Sequence, residues 1–411
     1  MAAGLVVSAS AEEGARSFCT EPPHDRLCPV FPEDQPDFSR FFEYRVIADV
    51  AQDPFDEYAW QAFTALNWRD VAPGDPEGES WRDFARKADM FAVDHAPCPS
   101  AQGAVIAGLA QSDGHPLIDQ KGDFIVYETR LNPVAAGYLR EAGLTTAEGR
   151  AAFGGEVDFP RGLQGTRAAS VLLKTAWRIE PDPQAGMIEA EGLIPVPAAM
   201  SVDGVARCLD VRLGLIGMHV VAKVQSGHGD KWIWATFEHV ANAPTAANAR
   251  EINSLYARDL FPGGCAPPAT AEGRDYALYD PARADRRTNA PPAGPVLWAA
   301  TRPFAVTAAG APAEPSQIVR CWRVFGPTEE TNAAWRTELK GTPLAKYMLV
   351  SAQWRGANPD PIFPNGELPR YLSNVALESY VQTDPMGTCL GCHAEARTSE
   401  GASSDFTYLL R

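Results

Sequence analysis

The chain has 411 residues, 45% of them hydrophobic and 9% aromatic, enough for one large or two ordinary packed domains and too apolar for a disordered chain. Its 36 basic and 52 acidic residues leave a net charge of −16, which argues against nucleic acid or an anionic membrane surface as partner. No segment past the start approaches the ~18 apolar residues that a membrane helix needs.

The chain opens MAAGLVVSASAEEG, an apolar run before Ala9, Ser10 and Ala11 that resembles the end of an export signal and its cleavage site, without a basic leader. Residues 1–36 read as a signal remnant and an extended, proline-rich leader. Residues 37–411 read as a single large domain, with 262–295 as the place for an internal boundary. A helix is expected over 37–52, carrying Phe41, Phe42, Tyr44, Val46 and Ile47. A second is expected over 53–68, with Asp53 as N-cap and Pro54 at its first position. Phe55, Ala59, Phe63 and Leu66 recur there at helical spacing, with Trp60 and Trp68 off the stripe. Core packing is the expected role of these aromatics; walling a ligand pocket is the alternative.

Residues 70–160 read as loop-rich. Strands are expected at 169–180 and 187–196, as a pair, then over 206–225 as one or two strands, and over 231–242 after the turn SGHGD. A helix is expected over 245–261 from Thr245, a surface excursion over 262–295, a strand over 316–326 and a helix over 328–341 capped by Thr328. A loop-rich stretch then leads to the C-terminus. Helices and strands mix without βαβ alternation, so the expected class is α+β, an antiparallel sheet core with flanking helices and long loops.

Near the end stands Cys389-Leu390-Gly391-Cys392-His393. With 8 Cys and 7 His in the chain, this Cys-x-x-Cys-His pattern is expected by chance only about 0.003 times. Two thiols at this spacing can each add to one vinyl group of the same porphyrin, and the adjacent histidine then meets the iron. Zinc would want four donors, and no second Cys/His pair exists. A thioredoxin-like pair would open a helix early in a βαβ unit. The expected cofactor is therefore one covalently attached haem c, bound by Cys389, Cys392 and His393, with His393 as proximal iron ligand. Haem c is attached outside the cytoplasm, so the expected location is the periplasm. The six other cysteines, Cys19, Cys28, Cys98, Cys208, Cys265 and Cys321, suit disulfides in an oxidising compartment. Six allow 15 pairings, with Cys19–Cys28 preferred.

No His or Met follows His393, so a second axial ligand must come from upstream, unlike in the common small cytochrome c domain. Met386 is too close to Cys389 to reach the opposite haem face. On strand 206–225, Met218, Val220, Ala222 and Val224 share one face and His219, Val221, Lys223 and Gln225 the other. On the return strand Trp232, Trp234, Thr236 and Glu238 share a face. A register setting Lys223 opposite Trp232 gathers His219, Lys223, Trp232, Trp234 and Glu238. That face joins apolar bulk to proton-transfer groups, as a haem enzyme's distal pocket does; a solvated face with an ordinary Lys–Glu pair is the alternative. His24, His95, His115 and His228 are loop residues and weaker candidates.

The blocks FDEYAWQAFTALNW, LLKTAWRI, LGLIGMHVVAKVQSGHGDKWIWATFEHVANAP, YLSNVALESYVQ, CLGCHAEA and DFTYLL together resemble a family of large bacterial exported cytochrome-c-like proteins with one C-terminal haem-c motif. The resemblance spans residues 55–410 and implies a periplasmic haem protein without an assigned reaction. A weaker similarity is to the small haem-c proteins that include hydroxylamine oxidisers with a lysine–haem crosslink. It implies a crosslinking role for Lys223 or, equally, Lys174, although the chain departs from them in length.

Three functions follow as expectations. The first is a haem oxidoreductase acting on a small redox-active molecule or peroxide. There His219 or Glu238 handles protons and Lys223 or Trp234 shapes the distal side. The second is a six-coordinate electron carrier, or the haem subunit of a larger redox complex, with His219 or Met218 on the iron and a periplasmic electron carrier as partner. The third is a five-coordinate gas sensor. The chain's size favours the first, because holding one haem needs far fewer residues. No Walker loop, Rossmann fingerprint, HExxH or nucleophile elbow occurs.

Overall fold

The computed structural model describes residues 29–32, 48–72, 80–91, 98, 105–109, 114–163, 167–225, 230–252, 261, 263–268, 275–355, 367–384 and 388–411. The signal remnant, most of the helix expected at 37–52, Cys19, Cys28, His24, His95, His228 and Met386 lie outside these residues.

The strands in chain order are β1 (Ala85–Arg86), β2 (Val105–Ile106), β3 (Ile125–Leu131), β4 (Ser170–Ile179), β5 (Glu189–Val196), β6 (Arg207–Gln225), β7 (Asp230–His239), β8 (Thr245–Glu251), β9 (Val296–Trp298), β10 (Ala305–Thr307), β11 (Arg320–Arg323), β12 (Tyr347–Arg355) and β13 (Glu367–Leu368). The principal helices are α1 (Ala48–Leu66), α2 (Pro133–Glu141), α3 (Ala147–Ala152), α4 (Gly326–Glu338) and α5 (Cys389–Ala394). One nine-stranded sheet runs β1-β3-β4-β6-β7-β12-β13, antiparallel along that path. The fold is therefore α+β with a mostly antiparallel sheet.

β6 organises the sheet because its 19 residues are long enough to serve several neighbours. Its first part pairs with β5, its later part with β4 on one edge and β7 on the other. β4 and β5 thus flank β6 and are not a pair, correcting the sequence expectation. β2 adds to β5 in parallel.

Alternation along β6 and β7 separates two faces. Met218, Val220, Ala222, Val224, Ile233, Ala235 and Phe237 join the core under α1 and α4. There Phe63 stacks on Phe237 at 4.1 Å, Phe55 on Trp354 at 4.1 Å and Trp60 on Trp335 at 5.9 Å. Such ring pairs add roughly 0.5–1.5 kcal/mol each beyond their buried area. The α1 aromatics are core packing. Val221, Trp232 and Trp234 face the other way, into a cluster with Cys389, Leu390, Leu409 and Leu410.

Further expectations change as well. α1 is one helix with Pro54 inside it, so Asp53 is not its cap. The side chains on either side of the proline are tied to β12: Gln52 Nε2 donates to the Ala352 carbonyl at 3.0 Å, and Asp56 accepts from Ala352 N–H at 3.3 Å. α4 starts at Gly326 and carries Thr328 in its first turn, where the hydroxyl donates to Asp56 at 2.5 Å instead of capping. Thr245–Glu251 is a strand parallel to β11, not a helix; pairing and burial of Ala246 and Ala249 override alanine's helix preference. β3 and β12 occupy stretches that read as loop. Within the expected surface excursion, Cys265, Ala277, Leu278 and Tyr279 are buried.

Among the described residues two disulfides are present, Cys98–Cys208 and Cys265–Cys321. Among the described residues no helix is long and apolar enough to cross a membrane.

Candidate functional site

The β6–β7 register sets Lys223 opposite Trp232, Val221 opposite Trp234, His219 opposite Thr236 and Gly217 opposite Glu238. The expected shared face therefore exists. β4 extends it by placing Lys174 opposite His219, and β12 by placing Gln353 opposite Trp234.

α5 lies on this face. Thr388 caps it, its hydroxyl accepting from Gly391 N–H at 2.9 Å, and Gln353 accepts from Leu390 N–H at 2.7 Å. Both bonds satisfy amides that the start of a helix leaves without intrahelical partners. Cys389 is buried and Cys392 half-buried, and neither is in a disulfide. Burial pushes the Cys389 thiol well above its ordinary pKa. That is the opposite of the low-pKa thiolate of a redox-active pair.

His393 packs its ring 4.2 Å from Trp234 and 5.0 Å from Tyr408. Its Nδ1 lies 2.7 Å from the Phe406 carbonyl. A carbonyl only accepts, so Nδ1 carries the proton and Nε2 keeps its lone pair. Burial holds the His393 pKa down to about 4, so the ring is neutral at ordinary pH.

His219 is buried, with Nε2 2.8 Å from Glu378 Oε1, while its Nδ1 is buried with no hydrogen-bond partner. Burial opposes ionisation of Glu378. The charge and hydrogen bond of His219, then Lys174 and the Asn374 N–H, outweigh it and hold the carboxyl below its usual range. Trp234 Nε1 is likewise buried without a partner.

Lys223 does not meet this group. Its Nζ donates to Asp158 and to Asp405, each at 2.6 Å, and Trp232 Nε1 donates to Asp405 at 3.1 Å. Glu238 is fully buried in an ion pair with Arg320 at 2.6 Å and accepts from Val375 N–H at 2.6 Å. Its carboxylate anchors the 374–378 segment. Met218 points into the α1 core, away from this face. His115 is exposed beside Tyr380.

His219 and Trp234 thus share the face on which His393 sits, with Trp234 beside His393 itself. Lys223 and Trp232 gather at Asp405, and Glu238 belongs to a separate ion pair. Glu378 and Asp405 were missed. Only the carboxylates' nearness to the motif in sequence could have signalled them, and in so acidic a chain that signal is weak.

The residues present fit a haem c. One helical turn carries two thiols and a neutral histidine with its Nε2 lone pair held ready. Two orphaned polar atoms, His219 Nδ1 and Trp234 Nε1, lie on the same face. Among the described residues no group of three or more His, Cys, Asp and Glu side chains is arranged to hold a bare metal ion. No protein-family model, curated protein or solved structure matches the chain.

Proposed function

We propose that the chain is a periplasmic mono-haem c-type protein that acts as an oxidoreductase on a small molecule or peroxide. The observation that carries this reading is α5, which presents Cys389, Cys392 and a neutral His393 with Nδ1–H committed to the Phe406 carbonyl. When bound, haem c would supply a redox-active iron. Cys389 and Cys392 would hold it covalently and His393 would ligate it through Nε2.

His219 is the proton-handling group of this proposal. Its Nδ1 accepts or returns a proton, and Glu378 at Nε2 stabilises the ring when it is charged. Leu172, Val221 and Trp234 give the face its apolar wall. The two disulfides are in keeping with export. The same unpartnered Nδ1 favours a second reading, in which His219 is the other axial ligand of an electron carrier.

The test is expression with haem-attachment machinery, then ferric and ferrous absorption spectra with and without carbon monoxide. Covalent haem and a high-spin spectrum that shifts with carbon monoxide support the oxidoreductase. A low-spin spectrum indifferent to carbon monoxide, converted to high-spin by His219→Ala, supports the electron carrier. A chain without covalent haem overturns both.

A further inference from the structure

The geometry points to Lys223 as a positioning residue that acts on His393 through the C-terminal tail. This deepens the haem reading and, for its effect on the iron, rests on it.

The tail folds back over α5. Ser399 N–H donates to the Leu410 carbonyl at 3.0 Å, Leu409 and Leu410 are buried, and the Tyr408 hydroxyl donates to the Cys392 carbonyl at 2.7 Å. At its bend Asp405 and Phe406 have φ of 50° and 62°. Two successive side-chain-bearing residues in the left-handed region cost energy and persist only where surrounding contacts impose them. The contacts converge on the Asp405 carboxylate. Lys223 Nζ donates to Oδ2 at 2.6 Å, Phe159 N–H to Oδ2 at 2.8 Å and Trp232 Nε1 to Oδ1 at 3.1 Å.

The next residue supplies the acceptor for His393. The bend that Lys223 holds is the one that aims the Phe406 carbonyl at Nδ1. A histidine whose outer N–H is held by an acceptor is fixed in ring orientation and tautomer, and its inner nitrogen becomes a stronger donor. Lys223 is 3% exposed and committed to two carboxylates, which suits an anchor and not a group that meets substrate. Asp158 is the solvent-side member of the cluster, its side chain 60% exposed, and is the dispensable partner.

The experiment compares wild type with Lys223→Gln, Asp405→Asn and Asp158→Asn. In the haem-loaded protein the readouts are the midpoint potential and the iron–histidine stretching frequency. In the haem-free protein the readout is the His393 Nδ1–H resonance in histidine-labelled samples. Lys223→Gln is expected to raise the potential, lower the stretching frequency and lose or broaden the resonance. Asp405→Asn, which tolerates the left-handed bend, shifts all three less in the same direction, and Asp158→Asn leaves them at wild-type values. Folded Lys223→Gln and Asp405→Asn proteins with wild-type readouts overturn the proposal. If Lys223→Gln does not fold, Asp405→Asn decides it. If wild type takes up no haem, the haem reading fails, and the Nδ1–H resonance still decides the anchoring role.

Discussion

Glu378 Oε1 meets His219 Nε2 at 2.8 Å, although the two residues are 159 positions apart. The contact leaves Nδ1 as the only nitrogen of that ring without a partner on the face that carries His393. A carboxylate behind an imidazole fixes its tautomer and ring orientation.

Glu378→Gln keeps the shape and removes the charge. Under the oxidoreductase reading, turnover with peroxide, hydroxylamine or a phenol falls on the order of 10²-fold, the usual worth of a proton-transfer group. Steady-state kinetics on haem-matched samples check this. Wild-type turnover in the variant would remove the His219–Glu378 pair from the reaction.

Gly217 faces the segment that carries Glu378. A Cβ there would lie 3.2 Å from Asn374 Oδ1 and 3.3 Å from Ala376 Cβ. Asn374 cannot easily yield, because its side-chain amide donates to Thr236 Oγ1 at 2.8 Å and to the Phe237 carbonyl at 2.9 Å. Gly217→Ala is expected to cost about 1–3 kcal/mol by overpacking. Urea unfolding of wild type and variant measures it, and an unchanged midpoint would mean that the segment shifts freely.

The disulfides close long loops, with sequence separations of 110 for Cys98–Cys208 and 56 for Cys265–Cys321. Chain entropy assigns each about 4–5 kcal/mol. Cys265→Ser with Cys321→Ser should loosen the β8–β11 pair first, where Trp322 stacks on Tyr371 at 4.3 Å. Hydrogen exchange of β8 and β11 amides reads this out. Faster exchange across the main sheet instead would show that the bridge holds the whole fold.

His239 sets an acid limit. Its Nε2–H donates to the Ala185 carbonyl at 3.1 Å and its Nδ1 accepts from Ala241 N–H at 3.3 Å, so the buried ring is neutral. Burial lowers its pKa from 6.5 to about 4. The folded state therefore binds fewer protons than the unfolded one between those values. Its stabilising contribution is complete above pH 6.5 and is lost as pH falls towards 4, by on the order of 3 kcal/mol. His239→Gln should flatten thermal stability across this window relative to wild type. Parallel pH profiles would show that another group sets the acid limit.

The sheet's central hairpin was legible because its information is local. Period-two alternation from Met218 to Val224 and from Trp232 to Glu238 specified the faces, and the observed register pairs Lys223 with Trp232. β12 was not legible. A register irregularity between Leu349 and Ser351 breaks its alternation, so the apolar run at 348–350 and the alternating residues 351–355 do not read as one strand. β8 was misread because an alanine-rich stretch with Thr245 at its head carries a helix signature that strand pairing overrides.

The sequence by itself determined the spacing of Cys389, Cys392 and His393 and the face shared by His219, Lys223, Trp232 and Trp234. Both follow from geometry within a turn or a strand. Only the tertiary structure decided which charges those side chains meet. Glu378 reaches His219, Asp405 reaches Lys223 from 182 positions away, and Arg320 takes Glu238 from 82. In a chain with 52 acidic residues no local pattern marks a particular carboxylate. The choice is made when burial forces each charge to find its partner, because an unpaired charge inside the protein costs more than the fold can supply.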